Sequence, residues 1–322
     1  MRTAEYAARV TMEITRLDTN YLGVPNCTSS FVVRGRDGVV LVECGCAVAY
    51  DTICAQLFAM GIAPRTLAGL VVTHIHLDHA GSAGHFAREG VPVYVHPRGA
   101  RHLIEPARLI AGSRAVHGAR YDAYFGDPLP IDPSLVRAIE DNETIALAGL
   151  SFRAIETLGH ARHHHAWIVG RVGEPPDVVF TGDVLGMILP DSEFISIPVP
   201  PSDIDIPAWQ ASMRRLRAEA PSLRAFLTHG PEQTLGAHLD RFALRMNEEL
   251  PFLAALVQAV ERGELSTVHA SQHYWEFLLP RAQQGGVSAS LCQALLGESF
   301  RAMNLAGIKE ALARGLFYPS VE

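Results

Sequence analysis

Residues 73–79 read Thr-His-Ile-His-Leu-Asp-His and directly follow a short apolar run. Imidazole and carboxylate groups are the side chains that bind zinc and iron near neutral pH. The alternating His74 and His76 lie on one side of an extended segment, and Asp78 and His79 lie where a helix is predicted to begin. This cluster offers more ligands than one tetrahedral ion needs, so each pair can hold its own ion. A merely polar, histidine-rich loop is the less favoured interpretation.

Two ions would need further histidines or aspartates at the ends of other strands. Three candidates meet this requirement, because His160, Asp183 and His229 each follow a predicted strand. Gly159 and Gly182 precede two of them, and glycine allows the backbone to approach a crowded site closely. A lone histidine at a strand end is more often a hydrogen-bonded polar residue than a ligand. The repetition of the same position after a strong first cluster favours metal binding here.

Short apolar runs predict strands in two groups. The first group comprises Ser30–Val33, Val39–Val42, Leu70–Thr73 and Val91–Val95. The second group comprises Ile145–Leu147, Ser151–Thr157, His165–Val169, Val178–Thr181 and Arg224–Thr228. Helical patterns between the strands comprise Tyr50–Met60, Ala80–Glu89 and Ala208–Glu219. Strands in two groups with helices between them predict a layered α/β fold.

Two segments interrupt this pattern. Residues 97–135 carry apolar side chains at helical spacing, broken by prolines, and predict a helical insertion. Met187–Pro207 is rich in proline and predicts a long loop beside the site. Excursions of this kind often shape a binding pocket.

The chain changes character after Glu232, where the strand signal disappears. Apolar residues then recur every three or four positions, as amphipathic helices require, and a further helical stretch is predicted in Ser288–Leu316. We therefore predict a catalytic domain in residues 1–233, which contains the insertion, and an all-helical C-terminal subdomain in residues 234–322.

Composition excludes several classes of protein. The chain has 322 residues, of which 48% are hydrophobic, and a formal net charge of −7, so there is no basic excess for nucleic acid. No apolar stretch approaches the ~20 residues that span a bilayer. Residues 1–5 lack the layout of a secretory signal. We expect a cytoplasmic protein with neither nucleic acid nor membrane as its partner.

The chain has five cysteines, and four of them lie between residues 27 and 54. Cys44-Gly45-Cys46 could form a metal or redox pair, but no second pair accompanies it. Reduced, partly buried thiols are the favoured interpretation, as is usual in the cytoplasm.

In these motifs the chain resembles the metallo-β-lactamase-fold hydrolases. The matching motifs are Thr73–His79 with the following Ala80-Gly81, Thr157–His160, Phe180–Asp183, and a late histidine after a strand, His229. The early segment Leu41–Gly45 lies where the family usually has Leu-Ile-Asp-x-Gly, and Glu43 replaces the aspartate. The resemblance covers residues ~10–233 in order.

The resemblance implies a four-layer αβ/βα sandwich with two divalent ions at one edge of its two packed sheets. The first ion would be held by His74, His76 and His160. The second would be held by Asp78, His79 and His229, with Asp183 bridging the two. Zinc is the favoured metal, and iron and manganese are alternatives.

The residues after His160 indicate which branch of this family the chain resembles. His164, four residues on, resembles a position in glyoxalase II-type thioesterases and in the thioesterase-like protein of bacterial quinolone signalling. This implies that His164 orients a ligand or contacts substrate, with a surface histidine as the alternative. His163 and His165 are predicted to be structural.

Two divalent ions lower the pKa of a shared water and give hydroxide at neutral pH. Their charge exceeds that of the two aspartates and the hydroxide, so the site favours a substrate that develops negative charge. We predict hydrolysis of a thioester, lactone or related ester by metal-bound hydroxide. One metal would stabilise the oxyanion, and the other metal or a protonated Asp78, the candidate catalytic residue, would assist the leaving group. No G-x-S-x-G elbow, phosphate loop or dinucleotide fingerprint is present.

The substrate is predicted only as a small molecule. Aromatic residues of the loop and tail suggest a partly hydrophobic pocket, with the tail's own core as the alternative: Phe194, Trp209, Tyr274, Trp275 and Phe277. A single-iron persulfide dioxygenase and a non-catalytic regulatory protein that retains the metal are the other candidate functions. A homodimer through the helical tail is one option for assembly.

Overall fold

The computed structural model describes residues 12–219 and 221–317. The N-terminal residues 1–5, on which the absence of a secretory signal was predicted, lie outside the described residues. No helix within the described residues has both the length and the apolar character needed to cross a bilayer.

The first sheet contains six strands that are hydrogen-bonded in chain order. They are β1 (Glu13–Asp18), β2 (Ser29–Gly35), β3 (Gly38–Val42), β4 (Gly69–Val71), β5 (Val93–Val95) and β6 (Val136–Ala138). The first three strands are antiparallel, and the pairs from β3 to β6 are parallel. Parallel neighbours need long crossovers, which helices provide here. These helices include α1 (Tyr50–Ala59), α2 (Leu77–Ala80) and α3 (Ala83–Arg88).

The crossover from β5 to β6 is the helical insertion. It contains α4 (Pro97–Ile104), α5 (Ala107–His117) and α6 (Tyr121–Tyr124). Pro97 occupies the first turn of α4, where its missing N–H costs no helical hydrogen bond. The His96 side chain caps the same helix by accepting a hydrogen bond from the backbone N–H of Arg98 at 3.0 Å.

The second sheet also has six strands, in the order β14-β13-β10-β9-β8-β7. Its first four strands in the chain are β7 (Thr144–Leu147), β8 (Leu150–Glu156), β9 (His165–Arg171) and β10 (Pro176–Gly182). A small separate hairpin follows, formed by β11 (Met187–Ile188) and β12 (Ile195–Ser196). Helix α7 (Ile206–Glu219) leads to β13 (Arg224–Leu227) and β14 (Gln233–Thr234).

Four helices complete the chain. They are α8 (Leu235–Glu261), α9 (Thr267–Gln284), α10 (Ala289–Leu295) and α11 (Glu298–Ala313). Ser266 and Ser288 cap α9 and α10, since each side chain accepts a hydrogen bond from a backbone N–H in the first turn.

Three apolar clusters define four layers. Side chains of both sheets, including Phe31 and Trp167, fill the space between the sheets. A second cluster packs α1 and α3 on the outer face of the first sheet. A third packs α7 and the C-terminal helices on the outer face of the second sheet. The predicted αβ/βα sandwich with C-terminal helices is therefore confirmed. Trp209 and Phe242, whose rings are 5.8 Å apart, join the second sheet's layer to α8.

Several boundaries differ from the predictions. The helix expected from Ala80 begins at Leu77 and is broken between α2 and α3. Strands β1 and β6 were not predicted because both lie at sheet edges and expose part of their surface, which weakens the apolar signal. The loop predicted at Met187–Pro207 contains the β11–β12 hairpin, and its last residues open α7. Strand β14 lies beyond Glu232, where no further strand was expected.

Gly159 shows how tightly the loop after β8 is packed. Its φ is +132°, and a Cβ there would lie 2.3 Å from Trp209. We expect Gly159→Ala to lower the free energy of unfolding by about 2–3 kcal/mol, from backbone strain and overlap. Urea denaturation measures this loss. The control is Gly112→Ala on α5, where a Cβ meets nothing within 4 Å and stability should hold or rise slightly. Equal stability of both variants would contradict the packing described.

Candidate metal centre

The loop between β4 and α2 presents the first two histidines. His74 Nε2 and His76 Nδ1 lie 2.9 Å apart. Ile75, between them, is buried and belongs to the apolar cluster on the outer face of the first sheet. Because α2 begins at Leu77, Asp78 and His79 occupy its first turn rather than the segment before it.

His160 completes a first group of three imidazoles. It lies in the loop between β8 and β9, and its Nε2 lies 3.1 Å from His76 Nδ1. The three ligand nitrogens of His74, His76 and His160 all lie within 4.8 Å of one another. Zinc–nitrogen bonds of about 2.0–2.1 Å place tetrahedral ligands about 3.3 Å apart, so the spacing suits one ion.

A second group lies beside the first. His79 Nε2 is 3.3 Å from His229 Nε2, and His229 Nε2 is 3.4 Å from Asp78 Oδ2. His229 enters from the end of β13, on the second sheet. These three residues form another set whose ligand atoms lie within 4.8 Å.

Asp183 lies between the two groups. It follows β10, where Gly182 has a φ of +50°. One carboxylate oxygen is 3.2 Å from His79 Nε2 and 3.4 Å from His229 Nε2, and the other is 3.5 Å from His160 Nε2. The nearer oxygen is buried and makes no hydrogen bond. A carboxylate in this position can bridge two cations.

In three of the histidines, the ring nitrogen that faces away from the other ligands, Nδ1, contacts a neighbouring acceptor. His79 Nδ1 lies 3.2 Å from Glu43 Oε1, His229 Nδ1 lies 3.1 Å from the carbonyl oxygen of Cys27, and His160 Nδ1 lies 3.2 Å from that of Pro198. Since carboxylates and carbonyls only accept, these contacts place the hydrogen on Nδ1. In the neutral rings, the Nε2 lone pairs then face one another and Asp183. Such a donor set fits divalent cations.

Glu43 is hydrogen-bonded to residues in or next to both ligand groups. Its carboxylate accepts hydrogen bonds from the backbone N–H of Thr73 and the hydroxyl of Thr228, in addition to its contact with His79. The residue is buried and has a φ of +60°. Thr73 in turn lies 3.0 Å from His74 Nδ1. Glu43 therefore orients ligands of both groups.

Electrostatics divide the histidines into two classes. Burial, together with the neighbouring imidazoles, lowers the pKa of His76 to about 3 and lowers the pKa of His74 as well. Burial also disfavours the charged form of His229, but Asp183 and Asp78 outweigh it and raise the pKa to about 10. The pKa of His79 is raised in the same way, against burial, by Asp183 and Asp78. Without metal, these two imidazoliums balance the two carboxylates.

Asp78 is held in its charged form. Burial opposes ionisation of this carboxyl, but His79 and His229 outweigh burial and lower its pKa below the ordinary value. The charged form suits a metal ligand. The predicted role as a protonated catalytic acid would need the opposite shift.

The residues that form this centre fall within a match to a known protein family. The model of the Metallo-beta-lactamase superfamily matches residues 23–229, which run from the first sheet to the last of these histidines. The chain belongs to the metallo-beta-lactamase superfamily. Members of this superfamily are mostly metal-dependent hydrolases that bind divalent metals.

Two curated relatives in the superfamily are similar over part of the chain. The metallo-beta-lactamase fold-containing protein ST1585 of Sulfurisphaera tokodaii is 30% identical over 171 residues, which are 50% of this chain and 59% of the relative. A probable metallo-hydrolase of Burkholderia pseudomallei is 26% identical over 190 residues, 56% of each chain. The chain thus matches between 56% and 59% of these relatives' lengths.

Solved structures of the superfamily share the fold over most of the chain. ST1585 from Sulfolobus tokodaii has a TM-score of 0.64 at 21% identity and covers 92% of this chain and 98% of its own. TTHA1429 from Thermus thermophilus has a TM-score of 0.62 at 20% identity and covers 94% of each chain.

The loops that carry the candidate ligands border a large cavity. Its volume is ≈ 1130 Å³, and His76, Asp78, His160, Asp183 and His229 line its floor. The apolar part of the wall comes from α6, α11 and adjoining segments: Leu22, Tyr124, Phe125, Met187, Leu295, Phe300 and Met303. A cavity of this size accommodates a small molecule.

The aromatic residues proposed for the pocket do not line this cavity. Trp209 and Tyr274 are fully buried in the cluster beneath the second sheet, and Phe194, Trp275 and Phe277 pack against or within the same cluster. The alternative interpretation, that they form the tail's own core, is the correct one. Amphipathic spacing alone cannot distinguish a core face from a pocket face.

Of the two histidines near His160, His164 takes the first of its two predicted roles, and His163 differs from its prediction. His164 is fully buried, and its Nε2 accepts a hydrogen bond from the backbone N–H of Asp183 at 3.2 Å, so it orients a ligand loop and does not reach the cavity. His163, predicted to be structural, lines the cavity, and its Nε2 lies 3.2 Å from Asp203 Oδ2. No sequence pattern pointed to Asp203, since only the loop geometry brings it near.

All five cysteines are buried and free, as the reduced-thiol interpretation predicts. Burial raises the pKa of the Cys46 thiol, so the Cys44–Cys46 pair is poorly suited to metal or redox chemistry.

Glu43 provides a test of how the ligands are held. We expect Glu43→Gln to weaken zinc binding by about 10- to 100-fold, most strongly for the ion held by Asp78, His79 and His229, because the amide is a weaker acceptor for His79. Competition with a chromophoric chelator measures both affinities. Glu261→Gln, an exposed change of the same charge on α8, is the control and should bind zinc normally. Unchanged affinity in Glu43→Gln would contradict this role.

The raised pKa values of His79 and His229 predict a pH dependence for the metal-free protein. Their folded pKa values lie above the ordinary 6.5, so protonation stabilises the fold below pH 6.5 and this contribution is lost as the pH rises toward about 10. The metal-free Tm should fall between pH 7 and 8.5. Zinc should raise the Tm more at pH 8.5 than at pH 7, because fewer protons must leave.

The matched variant for this measurement is His229→Asn, which removes one of the two protonated rings. Its metal-free Tm should depend less on pH over the same window. A wild-type Tm that is flat or rises from pH 7 to 8.5 would show that these imidazoles are not protonated in the folded protein.

Proposed function

We propose that this protein is a dinuclear metal-dependent hydrolase that cleaves a thioester, a lactone or a related ester. The observation that carries the proposal is the pairing of two complete ligand groups, His74/His76/His160 and Asp78/His79/His229, with Asp183 between them. A centre with one ion would leave the second group of buried, mutually facing ligands without a role. This supports the hydrolase over a single-iron dioxygenase.

Two divalent cations held by these residues would lower the pKa of water between them and would polarise a carbonyl oxygen. Zinc is the proposed metal, because imidazole and carboxylate ligands suit it, and iron and manganese are the alternatives. In hydrolysis, water adds to the carbonyl carbon, the bond from that carbon to sulfur or oxygen breaks, and an acid and a thiol or alcohol form.

The protein's own residues orient the ligand rings and set the net charge of the site. Asp78 and Asp183 offset part of the positive charge and leave an excess that favours developing negative charge on the substrate. Glu43 and the carbonyl oxygens of Cys27 and Pro198 fix the rings, so the ligands need not reorganise during the reaction. The cavity above them provides space for a small substrate and is enclosed by the insertion and the tail.

Metal analysis of the purified protein, coupled to a panel of thioesters, lactones and phosphodiesters, tests the proposal. We expect two zinc equivalents per chain and turnover of at least one thioester or lactone, with loss on chelation and recovery on adding zinc. One iron per chain with oxygen consumption would favour the dioxygenase. Full metal loading with no turnover across the panel would favour a regulatory protein.

His160→Ala removes one ligand of the first group. We expect the variant to lose turnover and to retain about one metal equivalent, because the other group keeps its ligands. Elemental analysis and initial rates measure the two effects. The control is His273→Ala on α9, where the side chain is 51% exposed and is not part of the cavity lining. Full metal content and full turnover in His160→Ala would refute the ligand assignment.

A further inference from the structure

One wall of the cavity carries four arginines that have no ion-pair partner in the part of the chain that the structure describes. Arg98 and Arg101 on α4, Arg108 on α5, and Arg120 just after α5 all line the cavity and are exposed. Among the described residues, none of the four forms an ion pair with a carboxylate. Arg101 Nε donates a hydrogen bond to His102 Nε2 at 3.1 Å, which leaves its terminal nitrogens available.

The start of α4 lies directly against the metal-binding loop. A Cβ on Gly99 would come within 2.8 Å of Ile75, between two candidate ligands, and within 3.7 Å of His163. Arg98 adjoins this contact, and Arg101 lies three residues further, on the same face of the helix. The start of the insertion therefore brings Arg98 and Arg101 close to the metal-binding loop.

Two cavity histidines show that the arginines converge. Burial lowers the pKa of His102, and the positive charges of Arg101 and Arg108 lower it further. Burial also lowers the pKa of His117, which lies close enough to feel both Asp78 and Arg120. His117 thus lies near both Arg120 and Asp78, one of the candidate ligands, so a bound molecule of modest length can reach from the metal centre to this end of the arginine wall.

This concentration of positive charge is local. The chain as a whole has a net charge of −7, and residues 97–120 contain several arginines and only one acid, Glu105. Neighbouring like charges on a helix repel one another, so an unpaired cluster is destabilising unless something offsets it. Arginine's planar fork binds carboxylate and phosphate oxygens in pairs. The facing wall, by contrast, presents the apolar side chains of Phe300 and Met303, with Glu310 further along the same helix.

We propose that the arginines of the helical insertion form a subsite for an anionic group, a carboxylate or a phosphate, on the substrate whose ester bond lies at the metal centre. This rests on the proposed function for the position of the reacting bond. The substrate is then an amphipathic molecule whose apolar part packs on α11 and the adjoining wall. The anion lies opposite, along α4 and α5.

Two matched pairs of thioesters test the subsite and distinguish the two kinds of anion. S-butanoyl-N-acetylcysteine differs from S-butanoyl-N-acetylcysteamine by one carboxylate. S-butanoyl-4′-phosphopantetheine differs from S-butanoyl-pantetheine by one phosphate. In the zinc-loaded protein we expect the anionic member of at least one pair to have a KM lower by about ten-fold, and the advantage should shrink with added salt.

The variants separate the arginines from the metals, which also attract anions. Arg98→Gln/Arg101→Gln and Arg108→Gln/Arg120→Gln should reduce the anionic advantage toward unity while turnover of the neutral member persists. Arg65→Gln, an exposed change of the same charge outside the cavity lining, is the control and should keep the advantage. An anionic advantage that survives in both double variants would assign it to the metals and overturn the proposal.

A binding measurement keeps the subsite testable if the proposed function fails. The S-butyl thioethers of the same four thiols cannot be hydrolysed, and calorimetry gives their Kd values with or without turnover. Tighter binding of an anionic thioether that is lost in the double variants supports the subsite even if no ester is cleaved. Equal Kd values within both pairs would overturn the subsite, whatever the outcome for hydrolysis.

Discussion

The structure depends on a set of buried candidate ligand atoms that face one another at short distances. His79 and His229 direct Nε2 atoms toward each other at 3.3 Å, and a buried oxygen of Asp183 lies close to both without a hydrogen bond. Lone pairs at such distances repel unless a cation or a proton lies among them. In the absence of metal the two histidines hold protons there, as their raised pKa values indicate. With metal bound, the same atoms would become its ligands.

Such an arrangement persists only if the surrounding protein holds it in place. Both sheets take part, because the first sheet supplies the loop after β4 and the second supplies His160, Asp183 and His229. Trp167, on the second sheet, donates a hydrogen bond to the carbonyl oxygen of Val72 at 3.0 Å and so ties the two edges together. The apolar packing between the sheets fixes the distance across which the ligands meet.

The C-terminal helices extend this support to the metal centre. Asn304 on α11 bonds the backbone of Ile197 and Val199, on either side of Pro198, whose carbonyl oxygen lies 3.2 Å from His160 Nδ1. Tyr274 on α9 also bonds Asn304. These helices share one apolar cluster with the second sheet, so the division at residue 233 separates two parts of the sequence that pack on a common core. The α11 part of the cavity wall and the support of His160 thus come from the same helical layer.

By itself, the sequence determined the candidate ligands, the two groups of strands and the helical tail, because short-range spacing and apolar periodicity record which residues turn toward a loop or a core. Helix limits near Leu77, the edge strand β6 and the β11–β12 hairpin depended on packing that no local pattern encodes. Only the tertiary structure decided that Glu43 supports His79 and that the arginines of the insertion face the metal loops. Such contacts join residues far apart in the chain, and their positions follow from how the two sheets and their outer helices pack.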